Sequence, residues 1–333
     1  MDRTEEDMKL IGFFGIFNNS IKTIFSRKKL FTQITLSFIL PLTLIFFLHT
    51  TISRHFFRRI INTTSPYNSN DSGHSKPLDW LYYALFTFTY FIFLTIFSIL
   101  STASVVFTVA SIYTSRDVTF HNVVKIIPKI WKRLLITFVF IYLAQFIYDA
   151  IVSIVLAICD AIFGNSYLTI LIMLIFLIIF ILGFLYLTVV CQLASVVTVL
   201  ENVNGFKAIT KGKVLLNGKK AVGMGIAFIL CAILVAIFVV YAQFVVLGDD
   251  VNLLMIWRVL IGVLCVVLVM VMFLLVIVSQ TVLYLVCKSY HREAIDKLSL
   301  STFLGAYMGE TVVYPGPGEE IQLGRPQRPV EQV

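Results

Sequence analysis

The sequence predicts an all-α integral membrane protein. Six transmembrane helices are arranged as three hairpins, with amphipathic interfacial helices on the cytosolic side. Three observations predict this. The 333 residues are 59% hydrophobic and only 13% charged, about half the ~25% charge of a soluble domain and too little to coat a globule of this size. Six apolar stretches each reach the ~20 residues a helix needs to cross hydrocarbon. Lys and Arg collect in alternate loops, as a fixed orientation in a bilayer requires. A cytosolic enzyme, a disordered chain and a coiled coil do not fit this arithmetic. The unbroken apolar runs also exclude a barrel, which alternates every residue over ~10-residue strands.

Residues 1–29 read as a cytosolic segment. Its start is partly acidic (Asp2, Glu5, Glu6, Asp7) and lacks the short basic region and small-residue cleavage site of a signal peptide, so the first span reads as a retained anchor. Leu10, Phe13, Phe17, Ile21 and Ile24 recur at helical spacing and make one apolar face, the mark of a helix lying in the headgroup plane. Arg27, Lys28 and Lys29 then turn the chain into the bilayer. A six-helix domain, 30–290, follows, with spans at 30–50, 80–113, 134–163, 167–200, 221–248 and 253–287. Several of these exceed the hydrocarbon thickness and are expected to tilt or project. Residues 291–333 form a cytosolic tail, largely disordered, with four prolines and little apolar content after residue 311.

Charge sets the orientation. Of the 26 Lys and Arg, six precede the first span, five fall in the second loop, five in the fourth and five in the tail, against four in the first loop and none in the third and fifth. Both termini are therefore expected in the cytosol. The net charge of +8 follows from that bias and requires no nucleic-acid partner. The expected partners are membrane lipids, with Lys28, Lys29, Lys132, Arg133, Lys219 and Lys220 as contacts to anionic headgroups at ~1 kcal/mol per charge. Asn62 and Asn70 head glycosylation sequons in the loop placed outside. Trp80, Trp131 and Trp257 stand near span ends, where interfacial aromatics belong. The five cysteines lie within spans or at their edges, so no disulfide framework is implied. Cys287, beside Lys288, is a candidate for S-acylation.

A repeat runs through the connectors. Phe17 and Lys22, Phe120 and Lys125, and Phe206 and Lys211 are each five apart, and a basic doublet or triplet follows about two turns later. The chain thus reads as three units, each an interfacial helix plus a hairpin, with Pro128 expected to kink the second.

Within the spans, Asp149 shares a helix face with Tyr142, Gln145 and Ser153. A mid-membrane Asp costs ~2.5–3.5 kcal/mol on insertion scales, so this face is expected to point into the bundle. Gln145, Gln192 and Gln280 lie at comparable depth by helix rise and could form a hydrogen-bonding layer. Asp160 and Arg258 are expected to pair across the outer side, with Asp249 or Asp250 as the alternative partner of Arg258. No catalytic signature, Cys/His metal spacing or cofactor motif is present, and the expectation is a protein that is not an enzyme.

The stretch from Leu200-Glu201-Asn202 through Gly205, Ala208 and Leu215 to Gly218 resembles the linker of the membrane domain attached to some bacterial glycerophosphodiester phosphodiesterases. The run Cys287-Lys288-Ser289-Tyr290-His291 and the run from Phe303 to Glu310 resemble a plant family of uncharacterised six-span transmembrane proteins. The resemblance covers most of the chain. It implies a membrane module without the hydrolase, for no soluble segment here could hold a barrel domain. The function expected is a non-enzymatic multi-pass protein of the secretory pathway, at the endoplasmic reticulum, another endomembrane or the plasma membrane, acting as a scaffold or bilayer-organising module. The alternative is a small-solute or lipid transporter with a polar path around Asp149.

Overall fold

The computed structural model describes residues 12–64, 75–114, 118–163, 167–201, 203–247 and 254–290. Among them the elements are α1 (Phe13–Ser26), α2 (Lys28–Ile34), a π-helical turn (Thr35–Ile39), α3 (Leu40–Thr64), α4 (Ser75–Tyr113), α5 (Phe120–Phe163), α6 (Tyr167–Leu200), α7 (Gly205–Leu215), α8 (Lys220–Tyr241), a second π-helical turn (Ala242–Val246) and α9 (Met255–Tyr290). Six helical stretches are long and apolar enough to cross a membrane: Lys28–Arg54, Trp80–Tyr113, Phe120–Ile162, Leu171–Leu200, Lys220–Val246 and Met255–Tyr290. They pair as three hairpins, α2–α3 with α4, α5 with α6, and α8 with α9. The sixth span, α9, is the centre, touching α1, α3, α4, α6, α7 and α8. The chain is an all-α integral membrane protein.

The core lies at the end of the bundle that carries α1 and α7, the basic end. Residues 101–111 of α4, 193–200 of α6 and 281–287 of α9 are buried without exception. Many are small, and small side chains let helix backbones approach closely where no hydrophobic force drives spans together. Their hydroxyls are not orphans. Ser101, Ser104, Thr108 and Ser111 donate to the carbonyls of Phe97, Leu100, Ser104 and Phe107 at 2.6–2.8 Å, so polar atoms enter the bundle at little cost. Toward the opposite end the helices spread. The most apolar stretch of α5 buries none of its residues. An apolar groove of about 830 Å³ opens along α4 between Trp80 and Ile96, with Trp131 and Leu135 on its far wall.

The three units are alike but not identical. In the first, the chain breaks at Arg27 (φ −130°, ψ 54°) between α1 and α2. In the third, the break after α7 falls at Gly218, whose φ of +92° is a conformation that glycine adopts without Cβ strain. The second unit has no glycine between Phe120 and Arg133. Its interfacial segment and span are one continuous helix of 44 residues that runs through Pro128, so the separate interfacial helix expected there is a correction to the sequence reading.

Candidate functional site

The basic end is built from three cationic segments. On α1, Ile16, Asn19, Ser20 and Thr23 are buried, the first step of a helix that lies against α9 and α8. Ser20 and Thr23 donate to the carbonyls of Ile16 and Asn19 at 2.8 Å. Phe13, Phe17, Ile21 and Ile24 pack half-buried at the edges of that contact. The side left outward carries Phe14 (84% exposed) and Phe25 (60% exposed) beside Lys22, Lys28 and Lys29, with the Lys28 ammonium 4.9 Å from the Phe25 ring centre. The start of α5 repeats the arrangement. Val123, Ile126, Ile127 and Ile130 are buried, and Val124 is exposed among Lys125, Lys129 and Lys132. On α7, Gly205, Ala208, Gly212 and Leu215 face inward, while Phe206 (68% exposed) and Val214 stand outward beside Lys207 and Lys213. Gly212 is required by packing, because a Cβ there would lie 3.0 Å from the Val190 carbonyl oxygen of α6.

Of the six cations expected to meet headgroups, Lys28, Lys29, Lys132 and Lys220 are exposed, and Arg133 and Lys219 are half-buried. Lys219 lies 5.6 Å from the ring centre of Tyr290.

Glu201 is the one carboxylate with a described side chain at this end, and it is held inside, with 12% of its side chain exposed. Tyr284 donates its hydroxyl to Oε1 at 2.6 Å, Lys288 donates to the same oxygen at 2.9 Å, and Lys211 forms an ion pair with Oε2. Burial alone would raise the carboxyl pKa. The hydrogen bonds from Lys211, Tyr284 and Lys288 outweigh it and hold Glu201 below the ordinary value. One side chain thus fastens α6, α7 and α9 together. The start of α7 is fixed separately: Gly205, at φ +60°, donates its backbone N–H to Thr137 Oγ1 at 2.9 Å, and Thr137 shares a 2.9 Å hydrogen bond with Thr198. Sequence reasoning missed Glu201. The available signal was its isolation, a lone acid between Leu200 and a lysine-rich helix.

The predicted intramembrane polar residues divide into two groups. Gln192 of α6 and Gln280 of α9 do come together, on a cavity of about 190 Å³ between α6, α8 and α9 that is also lined by Thr188, Cys231 and Ser279. Gln145 and Asp149 do not join them. Asp149 is exposed, and its Oδ1 accepts a 3.1 Å hydrogen bond from Gln145 Nε2, one turn earlier on the same helix. The expectation that this face points into the bundle is corrected. The half of α5 away from the basic end lies at the rim of the bundle, and a helix face shared by polar residues turns inward only where a neighbour covers it.

The Asp160–Arg258 pair is also corrected. Asp160 is exposed. Arg258 Nη2 donates to the Val245 carbonyl at 3.0 Å, and Arg54 Nη1 donates to the Val246 carbonyl. Both arginines cap the end of the π-helical turn after α8, where carbonyls have no helical partner and the helix dipole favours cations. Asp249, Asp250 and Asn70 lie outside the described residues, and Asn62 is placed, by its backbone, in the last turn of α3. Cys287 is fully buried, which withdraws it from S-acylation. Among the described residues no group of three or more His, Cys, Asp or Glu could hold a metal ion.

The family described as Domain of unknown function (DUF8558) matches residues 1–325, and the chain belongs to it. No curated protein and no solved structure matches the chain.

Proposed function

We propose that this DUF8558 protein is a non-enzymatic multi-pass protein of the secretory pathway that organises the cytosolic leaflet, its basic end facing the cytosol and serving as a lipid-gathering scaffold. One observation carries the reading. Each of the three basic segments holds large apolar side chains outward among exposed lysines: Phe14 and Phe25, then Val124, then Phe206 and Val214. Apolar groups at headgroup depth with cations around them suit an anionic membrane surface. The Glu201 carboxylate, the one acid with a described side chain there, is engaged internally by two lysines and a tyrosine. The resemblance to plant six-span proteins and to phosphodiesterase membrane domains supports a membrane module in the same sense. A transport path around Asp149 finds no support in the geometry, because Asp149 is exposed and bonds its own helix.

The test is lipid selection. The protein in nanodiscs of mixed phosphatidylserine and phosphatidylcholine is compared with a variant carrying Lys28→Gln, Lys29→Gln, Lys132→Gln and Lys220→Gln. At ~1 kcal/mol per charge near the surface, the wild type retains anionic lipid in excess after delipidation and the variant loses most of that excess. Equal retention by the two proteins refutes the reading.

A further inference from the structure

The cavity between α6, α8 and α9 is independent of the basic surface and carries its own inference. Its walls are mostly apolar: Leu185 and Val189 of α6, Ile226, Ala227 and Leu230 of α8, Val276 and Leu283 of α9. Among them stand Thr188, Gln192, Ser279 and Gln280. Ser279 is the telling residue. It is 1% exposed, and its Oγ has no hydrogen-bond partner. Neighbouring buried hydroxyls behave otherwise, since Thr198 and Thr281 return to the carbonyls of Ala194 and Ile277 at 2.8–2.9 Å. A hydroxyl left unpaired within hydrocarbon is costly, so a partner that enters the cavity and meets Ser279 relieves that cost.

The cavity is closed toward the basic end. Gly223 packs there against Leu216, Val189 and Leu283, so tightly that a Cβ would meet them at 3.0–3.4 Å, and all four residues are buried. The open members of the lining are on the flank: Phe184 is 38% exposed, and Thr188, Gln192, Cys231 and Leu234 are half-buried. Entry is therefore sideways, from lipid. By helix rise, Gln192 lies about 12 Å from the end of α6 and Gln280 about 15 Å from the end of α9, within one leaflet. No Asp, Glu, Lys, Arg or His lines the cavity, so nothing compensates a charged headgroup.

We propose that this cavity binds the hydroxyl end of a neutral single-chain lipid taken up from the leaflet on the basic side. A hydroxyl both donates and accepts, as does Ser279, and the two carboxamides offer both kinds of site. At about 190 Å³ the space is somewhat larger than the ~150 Å³ cavity that admits benzene. It takes a polar head and the first few methylenes, with the remaining chain trailing through the open flank.

The experiment uses the full chain in nanodiscs and a photoreactive hexadecanol bearing a diazirine near its hydroxyl, with adducts mapped by mass spectrometry. Labelling is expected on α6, α8 and α9 residues of the cavity. It should be competed by unlabelled hexadecanol and not by hexadecane or palmitate. Ser279→Ala should lower it about three- to tenfold, the equivalent of one hydrogen bond. Ala227→Phe fills the cavity and should abolish it. Should that variant not fold, Gln280→Leu preserves the volume, removes a carboxamide and should also weaken labelling. Adducts spread over the lipid-facing surface, competition by hexadecane equal to that by hexadecanol, or labelling unaltered by both Ser279→Ala and Gln280→Leu would each overturn the proposal. So would evidence that water alone fills the space.

Discussion

Replacing Glu201 by Gln tests whether one carboxylate fastens three helices. The change preserves size and one acceptor oxygen but removes the charge that two lysines and a tyrosine share. Hydrogen bonds to charged groups contribute ~1.5–3 kcal/mol each. That range applies most fully to the bond from Tyr284, which is 2% exposed. The lysines contribute less, because Lys211 and Lys288 keep 35% and 21% of their side chains in contact with solvent and exposed pairs are worth at most ~1 kcal/mol. The expected loss for Glu201→Gln is about 2 kcal/mol, read from denaturant unfolding in mixed micelles followed by tryptophan fluorescence. Lys213→Gln, at an exposed position of α7, should stay within ~0.5 kcal/mol of wild type. In a double-mutant cycle with Lys288→Met the two losses should fall short of adding by ~1 kcal/mol. The pH dependence has a definite sign. The folded pKa of Glu201 lies below its ordinary value, so its stabilisation is fully present above the unfolded value of ~4.3 and is lost as pH falls through the folded one. The gap between wild type and Glu201→Gln should be constant from pH 7 to about 5 and narrow in stronger acid. A variant as stable as wild type, or strictly additive losses with Lys288→Met, would refute the fastening role.

Three other outcomes are expected. Asp149→Leu should raise stability or insertion efficiency, by up to the ~2.5–3.5 kcal/mol that a mid-span Asp costs, because Asp149 is exposed on α5 and bonds only within its own helix; glycosylation-reporter insertion assays measure this, and a loss would show a hidden partner. Gly218→Ala places a Cβ against the Tyr290 ring in a left-handed backbone and should destabilise by at least ~1–2 kcal/mol, read by the same unfolding assay. Arg258→Met leaves the Val245 carbonyl short of a donor and should cost ~1–3 kcal/mol, with increased hydrogen exchange at the end of α8 as its local sign.

The six spans were legible because an apolar run of this length has no other stable use. Helix rise also put Gln192 and Gln280 at similar distances from their helix ends, and the two do line one cavity. What periodicity cannot show is which face a neighbour covers. Tyr142, Gln145, Asp149 and Ser153 do share a stripe, yet the part of α5 away from the basic end has so little packed on it that Asp149 and Ser153 are exposed. Arg258 was expected to pair with Asp160, but it donates to the Val245 carbonyl at the end of the π-helical turn, and unpaired main-chain groups leave no trace in the residue types. The repeat was visible in the Phe and Lys spacing. Its uneven outcome depended on glycine: Gly218 allows a joint in the third unit, and the second has none.

That missing joint has a mechanical consequence. In the first and third units the interfacial helix and the span after it are separate helices joined at Arg27 or Gly218, so the span can change its tilt while α1 and α7 stay packed where they are. The 44 residues of α5 form one continuous helix about 66 Å along its axis, so a rotation imposed on its cationic third is carried on as a change of inclination of the span. When the bilayer thins or thickens, two units absorb the change at an elbow, and the middle one has to lean.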